Sequence, residues 1–159
     1  MKRNLWIGLV LVGLNAFVAL LTLVWLPYGP TEMAGGRLSP PSWAHPAGTD
    51  RLGRDYLTQV MIGARIAMTV GIGATLLGGL IGTTLGVLAA YARRGLDDAL
   101  AATLDILIAF PTLLLAMLVV AASDGASLWT AILALGLAMS AIIARLVRIL
   151  TKRVLAQDY

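Results

Sequence analysis

The sequence predicts an all-α polytopic membrane protein with four transmembrane helices. Hydrophobic residues form 59% of the 159-residue chain and charged residues only 13%, whereas soluble domains carry about 25% charged residues. A soluble protein of this length has too much surface for its volume to hide so much apolar material. Four long apolar runs, separated by polar or basic segments, supply the predicted helices, so lipid is expected to act as part of the solvent.

The first apolar run, residues 5–26, contains no charged side chain. Residues 5–27 are therefore predicted as transmembrane helix 1, after a cytoplasmic segment of residues 1–4. At 1.5 Å per residue the run reaches roughly 33 Å, enough for a hydrocarbon core of about 30 Å. The alternative is a cleaved signal peptide, whose apolar region is normally about 7–15 residues long. The length of the run and its end at Trp25-Leu26-Pro27-Tyr28 favour an uncleaved anchor.

Residues 28–65 are predicted as an external loop that ends in an amphipathic helix. The segment 27–55 holds five of the six prolines and several glycines, and such residues are typical of loops. Leu57, Val60, Met61 and Ala64 share one stripe of a predicted helix over residues 55–65. This stripe is expected to rest on the bilayer surface or on neighbouring helices.

The second span is predicted at about residues 66–92, and small residues recur in it at every fourth position. The row consists of Ala74, Gly78, Gly82, Gly86 and Ala90. Such rows let helix backbones approach closely in lipid, where van der Waals packing drives association. The alternative is a generic glycine-rich transmembrane helix. Five small residues in register favour a packing groove for a helix that crosses at an angle.

The last two spans are predicted at about residues 100–122 and 128–144. A short turn at Gly95–Asp98 precedes the third span, and Asp97 and Asp98 are placed to cap or electrostatically favour its N-terminus. A second tight turn, at residues 123–127, joins the third span to the fourth. Residues 66–159 are accordingly predicted as one helical transmembrane domain.

Three residues of the third span are candidates for a translocation path or gate: Asp105, Pro111 and Thr112. An ionisable group inside a span is costly and usually faces a bundle interior or a water-filled path. The alternative for Asp105 is an interfacial position, or a pair with Arg94 or Arg145. Pro111 should kink the helix, as a hinge or merely as packing geometry. Thr112 shares the face of Asp105.

The basic residues predict the orientation. With the N-terminus in the cytoplasm, the inside segments hold eight of them and the outside segments four, which satisfies the positive-inside rule. The inside set is Lys2, Arg3, Arg93, Arg94, Arg145, Arg148, Lys152 and Arg153, and the outside set is Arg37, Arg51, Arg54 and Arg65. Topology explains Arg145, Arg148, Lys152 and Arg153, and contact with a partner protein is the alternative.

Several classes of function are excluded by the residues themselves. The basic residues stand at the ends of apolar runs and form no phosphate-binding face, so nucleic acid is not an expected partner. Cysteine is absent and His45 is the only histidine, so neither a thiolate nor a histidine-cluster metal site is expected. The chain has no GxxxxGK[ST] pattern, and it is not expected to bind a nucleotide itself.

The external loop resembles a known family. It contains His45-Pro46-Ala47-Gly48-Thr49-Asp50-Arg51-Leu52-Gly53-Arg54-Asp55, followed by Gly63-Ala64-Arg65. This run is similar to the HPLGTDxLGRD…GAR signature of permease subunits in the dipeptide/oligopeptide/nickel family of ABC importers, C-type subunit. Residues 87–91, 105–111 and 144–148 agree in the same order. The loop residues are expected to fix the loop and orient the amphipathic helix, with substrate contact as the alternative.

The resemblance implies a type I importer permease fold and a mechanism. A second permease subunit would pair with this chain, two ATPase subunits would bind ATP and Mg²⁺, and an extracytoplasmic binding protein would deliver peptides or similar small solutes. The expected location is the bacterial or archaeal cytoplasmic (inner) membrane. Family members continue beyond a segment like Gln157-Asp158-Tyr159 into an EAA coupling loop and two more spans, so the chain is expected to be truncated there.

Three other functions stay open at this point. A proton-coupled secondary transporter using Asp105 would need an internal repeat and midplane ionisable residues, and neither is evident in the sequence. An intramembrane enzyme would need a Ser/His or Asp/Asp pair at a suitable depth, which is also not evident. A truncated, transport-incompetent fragment is the third alternative, because the resemblance implies a coupling element after the segment that ends at Tyr159.

Overall fold

The computed structural model describes residues 2–123 and 125–157, except the side chains of Arg94 and Thr112. Five helices account for most of this part of the chain: α1 (Lys2–Leu21), α2 (Tyr56–Tyr91), α3 (Arg94–Ala109), α4 (Thr112–Ala121) and α5 (Leu128–Leu155). Over the described ranges the predicted all-α class is confirmed. α1, α2 and α5 are each long and apolar enough to cross a membrane, and α3 with α4 would form a fourth, broken span. The protein is a multi-pass membrane protein.

The chain divides into two compact units, with the boundary between Thr69 and Val70 inside α2. The first unit contains α1, the loop that follows it and the first turns of α2. The second unit contains the rest of α2 together with α3, α4 and α5. α2 runs without interruption, so the predicted amphipathic helix and the predicted second span form one helix of 36 residues. One continuous helix can form because neither a proline nor a turn-forming dipeptide stands between the two segments.

In the first unit, α1 ends at Leu21, earlier than the predicted residue 27. The amides of Leu23 and Val24 turn back to the carbonyls of Leu20 and Leu21, and the Thr22 hydroxyl donates to the Ala19 carbonyl at 2.7 Å. These three-residue bonds tighten the helix into a terminal turn. Val60 and Ala64 of the predicted stripe line a shallow cavity with residues 11–18 of α1, so the stripe faces a neighbouring helix.

In the second unit, the small-residue row of α2 lies against α5. A Cβ atom built on Gly78 would stand 2.8 Å from the Gly136 carbonyl oxygen, and one on Gly82 would stand 2.7 Å from the Ser140 carbonyl oxygen. At Gly86 the equivalent distance to the Ala144 carbonyl is 2.6 Å. These values leave no room for a side chain, so the two backbones are in direct contact. Ala74 and Ala90, at the ends of the row, are buried.

The third predicted span differs most from the sequence prediction. In place of one kinked helix over residues 100–122, α3 and α4 meet at Pro111 with an angle of 94° between them. Pro111 has no backbone N–H to donate, and its ring forces the preceding residue out of the helical conformation. Phe110 accordingly has φ −74° and ψ 125°. The proline therefore ends one helix and begins the next.

The predicted turn at Gly95–Asp98 is also wrong, because α3 already begins at Arg94. Arg93 occupies the N-cap position and makes no side-chain capping bond, so Asp97 lies within the first turn and does not cap the helix. α5 has the stronger start signal. Its N-cap, Ser127, and Thr130 exchange side-chain and backbone hydrogen bonds in a capping box, which satisfies amides that the helix leaves unpaired. α5 continues past the predicted end at Ala144 to Leu155.

Enlarging Gly82 should destabilise the second unit. In Gly82→Ala the new methyl group would meet the Ser140 carbonyl and the Ile143 side chain, and overpacking of this kind costs about 1–3 kcal/mol. Denaturant unfolding of the purified chain in detergent micelles, followed by circular dichroism, measures the change. Gly79→Ala is the matched control, because a Cβ there meets nothing within 4 Å. Equal stability of the two variants would contradict the packing described here.

Candidate functional site

Asp50 organises a tight turn in the loop between α1 and α2, the loop that the sequence predicts to be external. Its Oδ1 accepts hydrogen bonds from the amides of Leu52 and Arg54 at 2.7 and 2.9 Å, and its Oδ2 accepts one from Arg54 Nε at 2.8 Å. The hydrogen bond from the Arg54 amide holds the pKa of Asp50 below its usual value, although desolvation raises it in part. The Arg54 side chain and the Leu52 amide lower this pKa further. Asp50 is therefore a structural anion of the turn.

Two glycines make this loop conformation possible. Gly48 has φ +76° and Gly53 has φ +78°, in the region that residues with a Cβ avoid. A Cβ on Gly48 would also lie 2.7 Å from the Ser39 carbonyl oxygen, and one on Gly53 would lie 2.5 Å from the Gly35 carbonyl oxygen. Both positions thus require glycine for conformation and for space.

Asp55 joins the loop to α2. Its Oδ2 accepts hydrogen bonds from the amide and the hydroxyl of Thr58 at 2.8 and 2.9 Å, as an N-cap side chain does. Its Oδ1 lies 3.1 Å from His45 Nδ1, and its backbone forms an antiparallel bridge with Thr49. Burial opposes ionisation, but the bonds from Thr58 and His45 outweigh it, so the pKa of Asp55 lies below its usual value.

His45 and Thr49 complete the loop network. The His45 ring is buried beside Tyr28, with 5.0 Å between ring centroids, and the Tyr28 hydroxyl donates to the Ala44 carbonyl at 2.8 Å. The Thr49 hydroxyl donates to the Gly36 carbonyl and accepts from the Ser39 amide. Pro46 is exposed. These side chains bond to their own loop and its helix, an arrangement that suits the predicted role of fixing the loop.

Asp105 lies beside Arg145, with 3.1 Å between Oδ1 and Nη1. This is one of the two pairings that the sequence left open for Asp105. More than half of each side chain is exposed, and exposed pairs of this kind contribute only about 0–1 kcal/mol. The pair therefore neutralises Asp105 formally while leaving both groups accessible.

A tighter ion cluster, which sequence analysis did not identify, joins α3 to α5 through Asp97. Arg148 Nε donates to Asp97 Oδ1 at 2.6 Å, and Lys152 Nζ donates to Asp97 Oδ2. The Asp97 side chain is 8% exposed. The signal was present, because Arg148 and Lys152 are four residues apart on one helix face, but the acidic partner lies 51 residues before Arg148. Such a separation cannot be read from a local pattern.

The remaining predicted residues are Pro111, Thr112 and Arg153. Pro111 is exposed at the break between α3 and α4, where it sets the bend. Thr112 begins α4, but its side chain lies outside the described part of the structure, so its relation to Asp105 stays a prediction. Arg153 is exposed on the last turn of α5. Among the described His, Asp and Glu residues, no group of three or more could hold a metal ion.

Comparison with known proteins places these features in a family. Residues 82–159 match the family model described as "Binding-protein-dependent transport system inner membrane component". The chain is 37% identical over 144 residues to the dipeptide transport system permease protein DppC of Alkalihalophilus pseudofirmus, a match that covers 89% of this chain and 47% of that protein.

Two further relatives agree with this placement. The chain is 35% identical over 126 residues to DppC of Haemophilus influenzae, covering 75% of this chain and 43% of that protein. It is 42% identical over 108 residues to the glutathione transport system permease protein GsiD of Pectobacterium atrosepticum, covering 68% and 36%. The chain thus spans less than half the length of each of these relatives.

The fold and the matched segment define an integral membrane component of a binding-protein-dependent transport system. The chain belongs to the peptide-type permease family of ABC importers, as the loop motif had indicated.

Acidification should loosen the loop between α1 and α2, and Asp55 should carry much of the effect. Its folded-state pKa is depressed below the usual 3.8, so its stabilising contribution is complete above that pH and is lost as the pH falls through the lower folded value. Hydrogen exchange of the amides of residues 45–58, measured between pH 6 and 2 and compared with the intrinsic rate at each pH, should show this loss as reduced protection. In Asp55→Asn the loop amides should be less protected at pH 6, and their protection should change less with pH. Asp98→Asn, a change at an exposed acid of α3, should retain the wild-type profile, and a wild-type profile for Asp55→Asn would contradict the network.

The contact between Asp97 and Arg148 should appear as energetic coupling between the two positions. Asp97→Asn and Arg148→Gln should each destabilise the second unit, because the first removes the carboxylate that Arg148 binds and the second leaves the buried Asp97 with Lys152 as its remaining cationic partner. The double variant should lose less than the sum of the two, and a double-mutant cycle of unfolding free energies measures the difference. In the control cycle, which combines Asp97→Asn with Arg153→Gln at a position outside the cluster, the two losses of unfolding free energy should add. Additivity in both cycles would mean that the ion pair contributes nothing.

Proposed function

We propose that this chain forms part of the translocation pathway of an ATP-driven importer that carries peptides or similar small solutes across the cytoplasmic membrane. The observation that carries the proposal is the match to dipeptide-type permeases over 89% of the chain. The family segment, residues 82–159, coincides with most of the second unit, where α3 and α5 are joined by the Asp97 cluster. A helical unit of this kind can line a pathway and change its packing as the transporter alternates.

The proposed orientation places the N-terminus and the C-terminal end of α5 in the cytoplasm of a bacterial or archaeal cell. The excess of basic residues around residues 93–94 and 145–153 supports it. The external loop, residues 28–65, would then face the side from which substrate arrives. We assign its ordered network a supporting role, because the side chains of Asp50, Asp55 and Thr49 are occupied by bonds within the loop.

The proposed partners are a second permease subunit, two ATPase subunits that bind ATP and Mg²⁺, and an extracytoplasmic binding protein. Hydrolysis would occur in the ATPase subunits, so this chain would not itself be an enzyme. Within this mechanism Asp105, Pro111 and Thr112 are the proposed path or gate residues. The break at Pro111 supports a hinge role, since a helix interrupted at a proline has lost the backbone bonds that would resist bending.

Transport by the assembled complex tests the proposal. Proteoliposomes that contain this chain with its permease partner, ATPase subunits and binding protein should accumulate labelled dipeptide when ATP is supplied on the ATPase side. A proton gradient without ATP should give no accumulation, because the chain would not couple proton flow itself. Asp105→Asn should lower uptake if Asp105 lies at the gate, whereas the exposed control Asp98→Asn should leave it within about twofold. Accumulation on a proton gradient alone would overturn the ATP-driven mechanism.

A further inference from the structure

A small polar cavity of about 130 Å³ lies between α3 and α5. Its wall consists of the side chains of Ala101, Leu104, Asp105, Arg145, Arg148 and Ile149. This space suits a single small ionic group.

The wall has many hydrogen-bond donors and few acceptors. Each guanidinium carries five N–H donors and no acceptor. Within residues 2–123 and 125–157, Arg148 donates through Nε to Asp97, and Arg145 approaches Asp105 at 3.1 Å. Asp105 supplies the only carboxylate among the six wall residues, and Ala101, Leu104 and Ile149 are aliphatic. The wall itself holds two guanidiniums and one carboxylate. Asp97, which binds Arg148, and Lys152, which binds Asp97, lie beside it, so these three cations and two carboxylates sum to a formal charge of +1, which an acceptor-rich anion complements.

The position of Arg145 indicates where such an anion would come from. Arg145 is the first charged residue after the uncharged run 128–144, and an arginine at the end of an apolar run extends its side chain to the level of the lipid headgroups. Its pair with Asp105 is more than half exposed on both sides. Exposed pairs are weak, so Arg145 can turn from Asp105 to a stronger acceptor at little cost.

We propose that this cavity binds one phosphate-type anion, held by Arg145 and Arg148. The phosphate group of an anionic phospholipid and free inorganic phosphate share the necessary chemistry, because each offers several charged oxygens to the planar N–H forks of the two arginines. Arg148 is already fixed by Asp97, so one of the two forks is oriented before the anion arrives. The inference is independent of which solute the transporter carries.

Native mass spectrometry of the purified full chain in detergent tests the site. Phosphatidylglycerol should be retained more strongly than phosphatidylcholine of the same acyl chains. Arg145→Gln should weaken its retention about tenfold, since a hydrogen bond to a charged group is lost. Ala101→Leu should weaken it similarly by filling the cavity without changing any charge. Arg153→Gln, which removes an arginine outside the cavity wall, should leave retention within about twofold.

The test includes safeguards against misfolding and simple charge effects. Circular dichroism should give equal helix content for all variants, and Ala101→Val replaces Ala101→Leu if the larger residue disturbs the fold. Asp105→Asn removes the competing carboxylate and should strengthen retention severalfold. Equal losses in Arg145→Gln and Arg153→Gln, or unchanged retention in the cavity-filling variant, would overturn the proposal.

Competition with inorganic phosphate distinguishes the two sources of the anion. If free phosphate at millimolar concentration displaces phosphatidylglycerol from the wild-type chain, the site accepts the free ion. If it does not, the lipid headgroup is the ligand. If neither phosphatidylglycerol nor inorganic phosphate binds in a way that depends on Arg145, the proposal is overturned in both forms.

Discussion

The direct contact between the backbones of α2 and α5 is the constraint on which the second unit depends. In lipid no hydrophobic force brings two apolar helices together, so their attraction must come from close van der Waals packing. A Cβ on Gly78, Gly82 or Gly86 of α2 would lie only 2.6–2.8 Å from a carbonyl oxygen of α5. A Cβ on Gly136 of α5 would in turn lie 2.7 Å from the Leu77 side chain of α2. The two helices therefore interlock in both directions.

This contact also determines what the basic end of α5 can reach. Since α5 continues to Leu155 as one helix, the packing of its first half holds Arg148 and Lys152 beyond the apolar run. The Asp97 cluster then joins that end of α5 to the start of α3. A buried carboxylate requires compensation by charge or hydrogen bonds, and two cations provide it. Apolar packing and ion pairing thus act on adjacent residues of α5, because Gly86 packs against Val147 and Arg148 binds Asp97.

Much of this architecture could be predicted from local sequence. Uncharged runs predicted α1, α2 and α5, because the length of an apolar helix must match the bilayer. The glycine spacing predicted a groove on α2, and the loop motif indicated the family before any comparison. Gly48 and Gly53 also gave a usable signal, since glycines beside Asp50 are typical of a turn that needs positive φ.

The errors arose where long-range contacts or backbone chemistry decide the result. Asp97 lies in the first turn of α3, as a helix-start residue should, but its partners on α5 lie more than 50 residues later in the chain and give no local signal. Pro111 is predicted from the sequence to kink one helix, whereas the structure has two helices that meet there at 94°. A helix break at this point shortens α4 to ten residues, which reach only about 15 Å. α3 and α4 must therefore act together if they are to cross the membrane, and the backbone conformation at Pro111 decides how the two helices are oriented relative to each other.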